Sequence, residues 1–81
     1  MQVIDERLLR TAIAANVVRL RRAQNLSQAQ LADRAGVSRV TMNRIEKSRG
    51  TPQTPVLFAL ADALGVPADS LRQVADVAKS A

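Results

Sequence analysis

The chain has 81 residues, enough for one small domain, with a net charge of +5 and 47% apolar residues, of which only Phe58 is aromatic. It contains no cysteine and no histidine, which excludes a disulfide framework and removes the side chains most often used for metal ligation and general-base catalysis. No apolar run reaches the ~18–20 residues of a membrane span, and the N-terminus lacks the layout of a signal peptide. We therefore expect a cytoplasmic protein with no membrane partner.

The positive charge is concentrated in one segment. Residues 19–49 hold eight Lys/Arg and two acids, a net of +6, whereas the rest of the chain holds four bases and five acids, a net of −1. A basic segment of this kind is typical of proteins that bind polyanions. The alternative is a solvated basic face without a partner.

The first predicted helix covers residues 5–24, with Asp5 as its N-cap. It ends near Asn25, a residue type that tolerates the left-handed backbone conformation found at many helix ends. Its core stripe has the spacing of an α-helix and consists of Leu9, Ile13, Val17 and Leu20.

Two short helices joined by a tight turn follow, over about residues 27–47. Ser27 and Gln30 fit a capping box at the start of the second helix, which we place at 28–35. Gly36 supplies the turn, because glycine accepts positive φ. Ser38 caps the third helix, placed at 39–47, whose inner face carries Met42 and Ile45.

After a loop at 48–54, we expect a fourth helix capped by Thr54, with Pro55 at its first position and Gly65 at its end. A fifth helix is expected at about 68–79. The sequence thus predicts an all-α, five-helix domain spanning 1–81, with a helix-turn-helix formed by helices 2 and 3.

The chain also resembles a known family. The run L-S-Q-x-x-L-A-x-x-A-G-V-S-x-x-x-M-x-x-I-E, followed by L-x-x-L-A-x-A-L-G-V, is similar to the Xre family of lambda-repressor-like helix-turn-helix proteins, which includes phage repressors and Cro. The resemblance covers about residues 16–72. It implies a lambda-repressor-like fold and a partner of double-stranded DNA.

The resemblance also implies roles for individual residues. Positions that read base edges are matched by Arg39, Val40, Thr41, Asn43 and Arg44. Positions that hold DNA phosphates are matched by Ser27, Gln28, Lys47, Arg49 and Thr51. Arginine can grip guanine, asparagine can pair with adenine, and valine can meet a thymine methyl group. A helix N-terminus favours a phosphate through its free amide protons and its dipole.

Each role has an alternative. In these alternatives, Gln28 would only solvate the start of a helix, and Arg39 and Arg44 would pair with acids on the surface. Val40 would fill the core, and Asn43 would be solvated. The resemblance further implies a partly buried structural ion pair between Arg21 and Glu46 that joins the first and third helices.

The sequence departs from the family in the loop after the third helix. Ser48 stands where the family usually has glycine, so we expect Gly50 to take the special backbone angle. Thr54 replaces a usually apolar residue, and Asn25 replaces a frequent glycine.

The most favoured function is a sequence-specific DNA-binding transcriptional regulator, in particular a nucleoid-associated repressor acting as a homodimer on a palindromic operator. Some apolar residues are in surplus over what the predicted core needs, namely Val3, Ile4, Leu8, Val18, Phe58, Val74, Val77 and Ala78. They would form a dimer contact or, as an equal alternative, the contact by which the last helix packs on the first within one chain. An antitoxin that binds operator DNA and a toxin protein is the alternative function, and a protein-interaction module is a third. We expect no enzyme, catalytic residue, metal, cofactor or small-molecule ligand.

Overall fold

A computed structural model describes residues 5–74 of the chain, which form five helices. These are α1 (Glu6–Ala23), α2 (Gln28–Ala35), α3 (Arg39–Glu46), α4 (Thr54–Leu64) and α5 (Ala68–Arg72). Residues 5–74 contain no β-strand. The predicted all-α, five-helix architecture is therefore confirmed, and α1, α2 and α3 lie within one residue of their predicted bounds.

All five helices contribute to one hydrophobic core. α1 packs against α3 and α5, while α4 packs against α2 and α5. In the core stripe predicted for α1, Ile13 and Val17 are buried. The other two members, Leu9 and Leu20, are only partly buried but pack against the core. The buried apolar set of the main cluster is Ile13, Val17, Leu26, Leu31, Ala32, Met42, Ile45, Leu57, Leu60, Ala61, Leu64 and Leu71.

The first three helices begin at the predicted caps. Side-chain oxygens of Asp5, Ser27 and Ser38 each accept a backbone N–H in the first turn, and the capping box of Ser27 with Gln30 is complete. The cap predicted for α4 is wrong. Gln53 occupies that position without a side-chain hydrogen bond, so Thr54 is the first helical residue and Pro55 the second. Proline is still accommodated there, because the first N–H groups of a helix have no partner within it.

Helices α1 to α4 end in the same hydrogen-bonded turn, in which one residue takes positive φ. That residue is Asn25 (φ 57°), Gly36 (70°), Ser48 (58°) or Gly65 (71°). In each case two N–H groups beyond the helix bond back to carbonyls of its last turn, as in a Schellman motif. The expectation for Gly50 is therefore wrong. Ser48 itself takes the left-handed conformation, because the two hydrogen bonds that close α3 require it at that position.

The fifth helix, predicted at 68–79, ends earlier than expected, and the predicted part at 75–79 lies outside the described residues. It ends at Arg72, and Gln73 is extended (φ −66°, ψ 122°). The side-chain amide of Asn16, which is 2% exposed, donates to the carbonyl oxygens of Leu71 (2.9 Å) and Gln73 (3.0 Å). These bonds hold the end of α5 against α1 and occupy carbonyls at the point where the chain leaves the helix.

Part of the surplus apolar set lies outside the described residues, namely Val3, Ile4, Val77 and Ala78. Of the members within residues 5–74, Leu8, Val18 and Val74 are half-buried and Phe58 is exposed. No helix in the part of the chain that the structure describes has the length and hydropathy needed to cross a membrane.

Candidate nucleic-acid interface

The turn at Gly36 sets the angle between α2 and α3. The N–H groups of Gly36 and Val37 bond back to carbonyls of α2, and Ser38 starts α3 immediately afterwards. Both helices bury their inner faces against α1 and α4, with Leu31 and Met42 fully covered. The opposite face of α3 is left facing outward, which is the arrangement of a helix-turn-helix.

Val40 lies at the centre of this outward face. Its side chain is 72% exposed, so it does not fill the core. Arg39 and Arg44 are also exposed, while Thr41 and Asn43 are half-buried. Thr41 accepts a hydrogen bond from the Ser38 hydroxyl at 2.9 Å, which ties it to the start of the helix. The structure thus brings the five predicted base-reading residues together on one short helix.

Two further cations extend this face beyond the end of α3. Lys47 and Arg49 are both exposed. Within residues 5–74, none of the four cations Arg39, Arg44, Lys47 and Arg49 has a carboxylate within 4 Å, and the ion pairs found there involve Arg10, Arg21 and Arg72 instead. In the described chain, therefore, no acid forms an ion pair with these four cations.

Glu46 is the acid at the end of α3, and it is withdrawn from the surface. Its side chain is 8% exposed and Arg21's is 13% exposed. Arg21 Nε donates to Glu46 Oε2 (2.7 Å) and Nη2 to Oε1 (3.0 Å), while Nη1 donates to the Leu26 carbonyl (2.9 Å). A planar guanidinium holds a carboxylate best in this two-pronged geometry. The pair connects α1, α3 and the segment that leads into α2.

The residues matched to phosphate positions are placed differently from one another. Ser27 is exposed and uses its hydroxyl to cap α2. Gln28 is half-buried, and its Nε2 donates to Glu46 Oε1 at 3.1 Å, so it does more than solvate a helix start. Thr51 donates to Glu6 at the start of α1 over a longer distance of 3.4 Å.

A groove of about 330 Å³ runs beside α3, between this helix and the start of α4. Ile45 and Val56 give it apolar walls, and Arg44 and Gln53 give it polar ones. The Arg44 guanidinium leans toward the loop, since its Nη2 lies 3.7 Å from the position that a Cβ on Gly50 would take. Arg44 is thus set apart from Arg39, which stands at the other end of the helix.

The sequence analysis did not identify three polar residues that make structural contacts or line the site. Asn16 was detectable, because an asparagine inside an apolar helical stripe needs a buried partner. Gln24 donates to the Leu64 carbonyl at 2.7 Å and closes the end of α4, a contact 40 residues apart that no local pattern indicates. Gln53 lines the groove beside Arg44, and its position depends on the path of the loop.

The geometry defines a class. Two short helices joined at a glycine turn, with the second one presenting an exposed basic face, form a helix-turn-helix domain. The helix-turn-helix family HTH_3 matches residues 17–71. The chain belongs to this Xre-like family of helix-turn-helix transcriptional regulators, and the resemblance found from the sequence is confirmed.

Individual relatives agree with this assignment. The chain is 36% identical over 58 residues to an uncharacterized HTH-type transcriptional regulator, y4dJ, of Sinorhizobium fredii, covering 72% of this chain and 75% of that one. A hypothetical transcription factor from Neisseria, NHTF, has a similar structure, with a TM-score of 0.81 and 28% identity over 100% of this chain and 94% of that one. The clp gene regulator ClgR from C. glutamicum shares the fold, with a TM-score of 0.75 and 24% identity over 89% and 91% of the two chains.

Proposed function

We propose that the protein is a transcriptional repressor that binds a palindromic DNA operator as a homodimer, with α3 in the major groove. The observation that carries this proposal is the outward face of α3. Val40 is 72% exposed between Arg39 and Arg44, neither of which has an acidic partner within 4 Å in residues 5–74. An apolar residue left in water beside unneutralised arginines suits a surface that meets base edges and thymine methyl groups.

The two arginines take different parts in this proposal. Arg39, at the first turn of α3, reads a base together with Val40 and Asn43. Arg44 leans toward Gly50, and from there it reads a base at the edge of the site. In helix-turn-helix proteins, the residues at the N-terminus of the recognition helix are the ones that reach base edges. This supports a larger contribution to base reading from Arg39 than from Arg44.

The phosphate anchors lie on both sides of the reading face. Lys47 and Arg49 bind phosphates beyond the end of α3, and Thr51 supports them from the loop. On the other side, the first turn of α2 offers Ser27, Gln28 and the free backbone N–H groups of the helix start. Such contacts fix the register of the protein on the duplex without reading sequence.

Selection of bound sequences from a random duplex pool tests the proposal. The parent chain should enrich a palindrome whose half-sites are about 10–10.5 base pairs apart, one helical turn. Arg39→Ala should relax one position in each half-site, at a cost of about 1–3 kcal/mol. Arg72→Ala is the matched control, because Arg72 carries the same charge but lies in α5 and pairs with Asp69. A single unpaired half-site would contradict the dimer, and equal relaxation by both variants would contradict the reading role of Arg39.

Repression needs a separate measurement. We expect transcription in vitro to fall as the protein is added to a promoter that overlaps the selected site, because the bound dimer occludes the polymerase. The same promoter with the site scrambled is the control. Transcription that rises with added protein would show an activator instead.

A further inference from the structure

The carboxylate of Glu46 has a second partner besides Arg21. Its Oε1 accepts from Arg21 Nη2 at 3.0 Å and from Gln28 Nε2 at 3.1 Å, while Oε2 accepts from Arg21 Nε at 2.7 Å. One carboxylate, 8% exposed, therefore joins α1, α3 and the first turn of α2. The last of these contacts reaches the residue that the proposed function assigns to a DNA phosphate.

The chemistry of this contact fixes the orientation of the Gln28 amide. A carboxylate can only accept hydrogen bonds, so the amide must turn its nitrogen, and not its oxygen, toward Glu46. The nitrogen carries two protons, and Glu46 takes one of them. The second remains for another acceptor at the N-terminus of α2, where the free backbone N–H groups also favour an anion. A phosphate oxygen is also an acceptor only, and this proton suits it.

Arg21 makes this arrangement tolerable near DNA. An unpaired carboxylate behind Gln28 would repel a phosphate in front of it. The Arg21 guanidinium binds both carboxylate oxygens and cancels the charge, so that Glu46 keeps its accepting geometry without its net repulsion. Hydrogen bonds in such a chain also polarise one another, which strengthens the donor at its end.

We propose that Glu46 is a positioning residue for DNA binding, which holds the Gln28 amide ready to donate to a phosphate of the duplex. This inference rests on the proposed function, since it deepens the role of Gln28 there. The held side chain loses little further rotamer freedom when DNA arrives, and this preorganisation raises affinity. Glu46 itself does not touch the nucleic acid.

A double-mutant cycle on DNA affinity tests this role. Glu46→Met alone leaves the Arg21 charge buried without a partner and risks unfolding, so the pair is replaced together as Arg21→Met with Glu46→Met. Replacing a buried ion pair by apolar residues of similar volume is often neutral for stability. The exchange also removes one charge of each sign, and the net charge of the protein stays the same. The second arm of the cycle is Gln28→Met.

The duplex used is the one selected by the parent chain, and thermal melts confirm that all four proteins are folded at the assay temperature. With Gln28 present, the exchange of the ion pair should weaken DNA binding about 3- to 10-fold, the worth of one oriented hydrogen bond. In the Gln28→Met background, the same exchange should weaken binding less than about 2-fold, because no amide remains to be positioned.

Equal losses in the two backgrounds would overturn the proposal, because Glu46 would then act only through the fold. An unchanged affinity on Gln28→Met would also overturn it, since Gln28 would then make no phosphate contact. Failure of the proposed function has a different signature. In that case the parent chain itself binds no duplex, and no cycle can be measured.

Discussion

Ser48 offers the sharpest test of how the loop after α3 is built. Its φ of 58° lies in the left-handed region, and the N–H groups of Ser48 and Arg49 bond back to the carbonyls of Ile45 and Arg44. A residue with a Cβ is strained in this conformation, whereas glycine is not. We therefore predict that Ser48→Gly stabilises the protein.

The size of the gain follows from two opposing terms. The left-handed conformation costs a non-glycine residue about 1–2 kcal/mol, and glycine relieves this. Glycine also loses more backbone freedom on folding, which costs about 0.5–1 kcal/mol. The difference is a net stabilisation of about 0.5–1 kcal/mol. For a domain of this size, that corresponds to a rise of about 2–8 °C in the melting temperature.

Thermal and urea unfolding, followed by circular dichroism, measure this change. Ser70→Gly is the matched control, because Ser70 lies inside α5 and makes no positive-φ turn. Glycine there should lower stability by about 0.5 kcal/mol, the difference in helix propensity. A Ser48→Gly protein that melts below the parent, as the control does, would refute the role assigned to the left-handed turn.

Three further variants test the tertiary contacts. Arg21→Ala should lower the free energy of unfolding by about 3 kcal/mol, because it leaves the buried carboxylate of Glu46 without its cation, whereas Arg72→Ala should change it by less than about 0.5 kcal/mol. Urea titrations measure both values, and equal losses in the two variants would contradict the role of Arg21. Asn16→Leu should cost about 1–3 kcal/mol by leaving two carbonyl oxygens without donors, and amide exchange at the end of α5 should then accelerate; unchanged exchange would count against that contact. Gly36→Ala should cost about 1 kcal/mol through strain at φ 70° alone, since a Cβ there meets nothing within 4 Å; a much larger loss would point to a clash that the structure lacks.

The fold was predictable wherever local chemistry decides the backbone. Asp5, Ser27 and Ser38 cap helices because a short oxygen-bearing side chain reaches the free N–H groups of the first turn, and Gly36 ends α2 because it accepts positive φ. These signals lie within a few residues of the elements they define. The predictions for the start of α2, for its turn into α3 and for the buried face of α3 were therefore correct.

The predictions were wrong where a long-range contact or the path of a loop determines the backbone conformation. The end of α5 depends on Asn16, which is 55 residues from Leu71 in the chain, and the sequence pattern alone extended the helix. Ser48 takes the angle that we expected of Gly50, because hydrogen bonds to α3 fix the position of the turn. The bond from Gln28 to Glu46 likewise spans two helices, and no local motif indicates it.

The salt dependence of DNA binding tests most directly whether the outward face of α3 and its flanks bind a DNA duplex. Affinity for the selected duplex should be measured by fluorescence anisotropy from about 50 to 200 mM salt. In the proposed homodimer, Lys47 and Arg49 of each subunit would supply about four phosphate contacts, so log K should fall against log salt with a slope of about −3.6 or steeper. Lys47→Ala should make the slope shallower, by about 1 for each subunit that loses a phosphate contact. A flat dependence, or no binding at about 50 mM salt, would contradict DNA binding by this face.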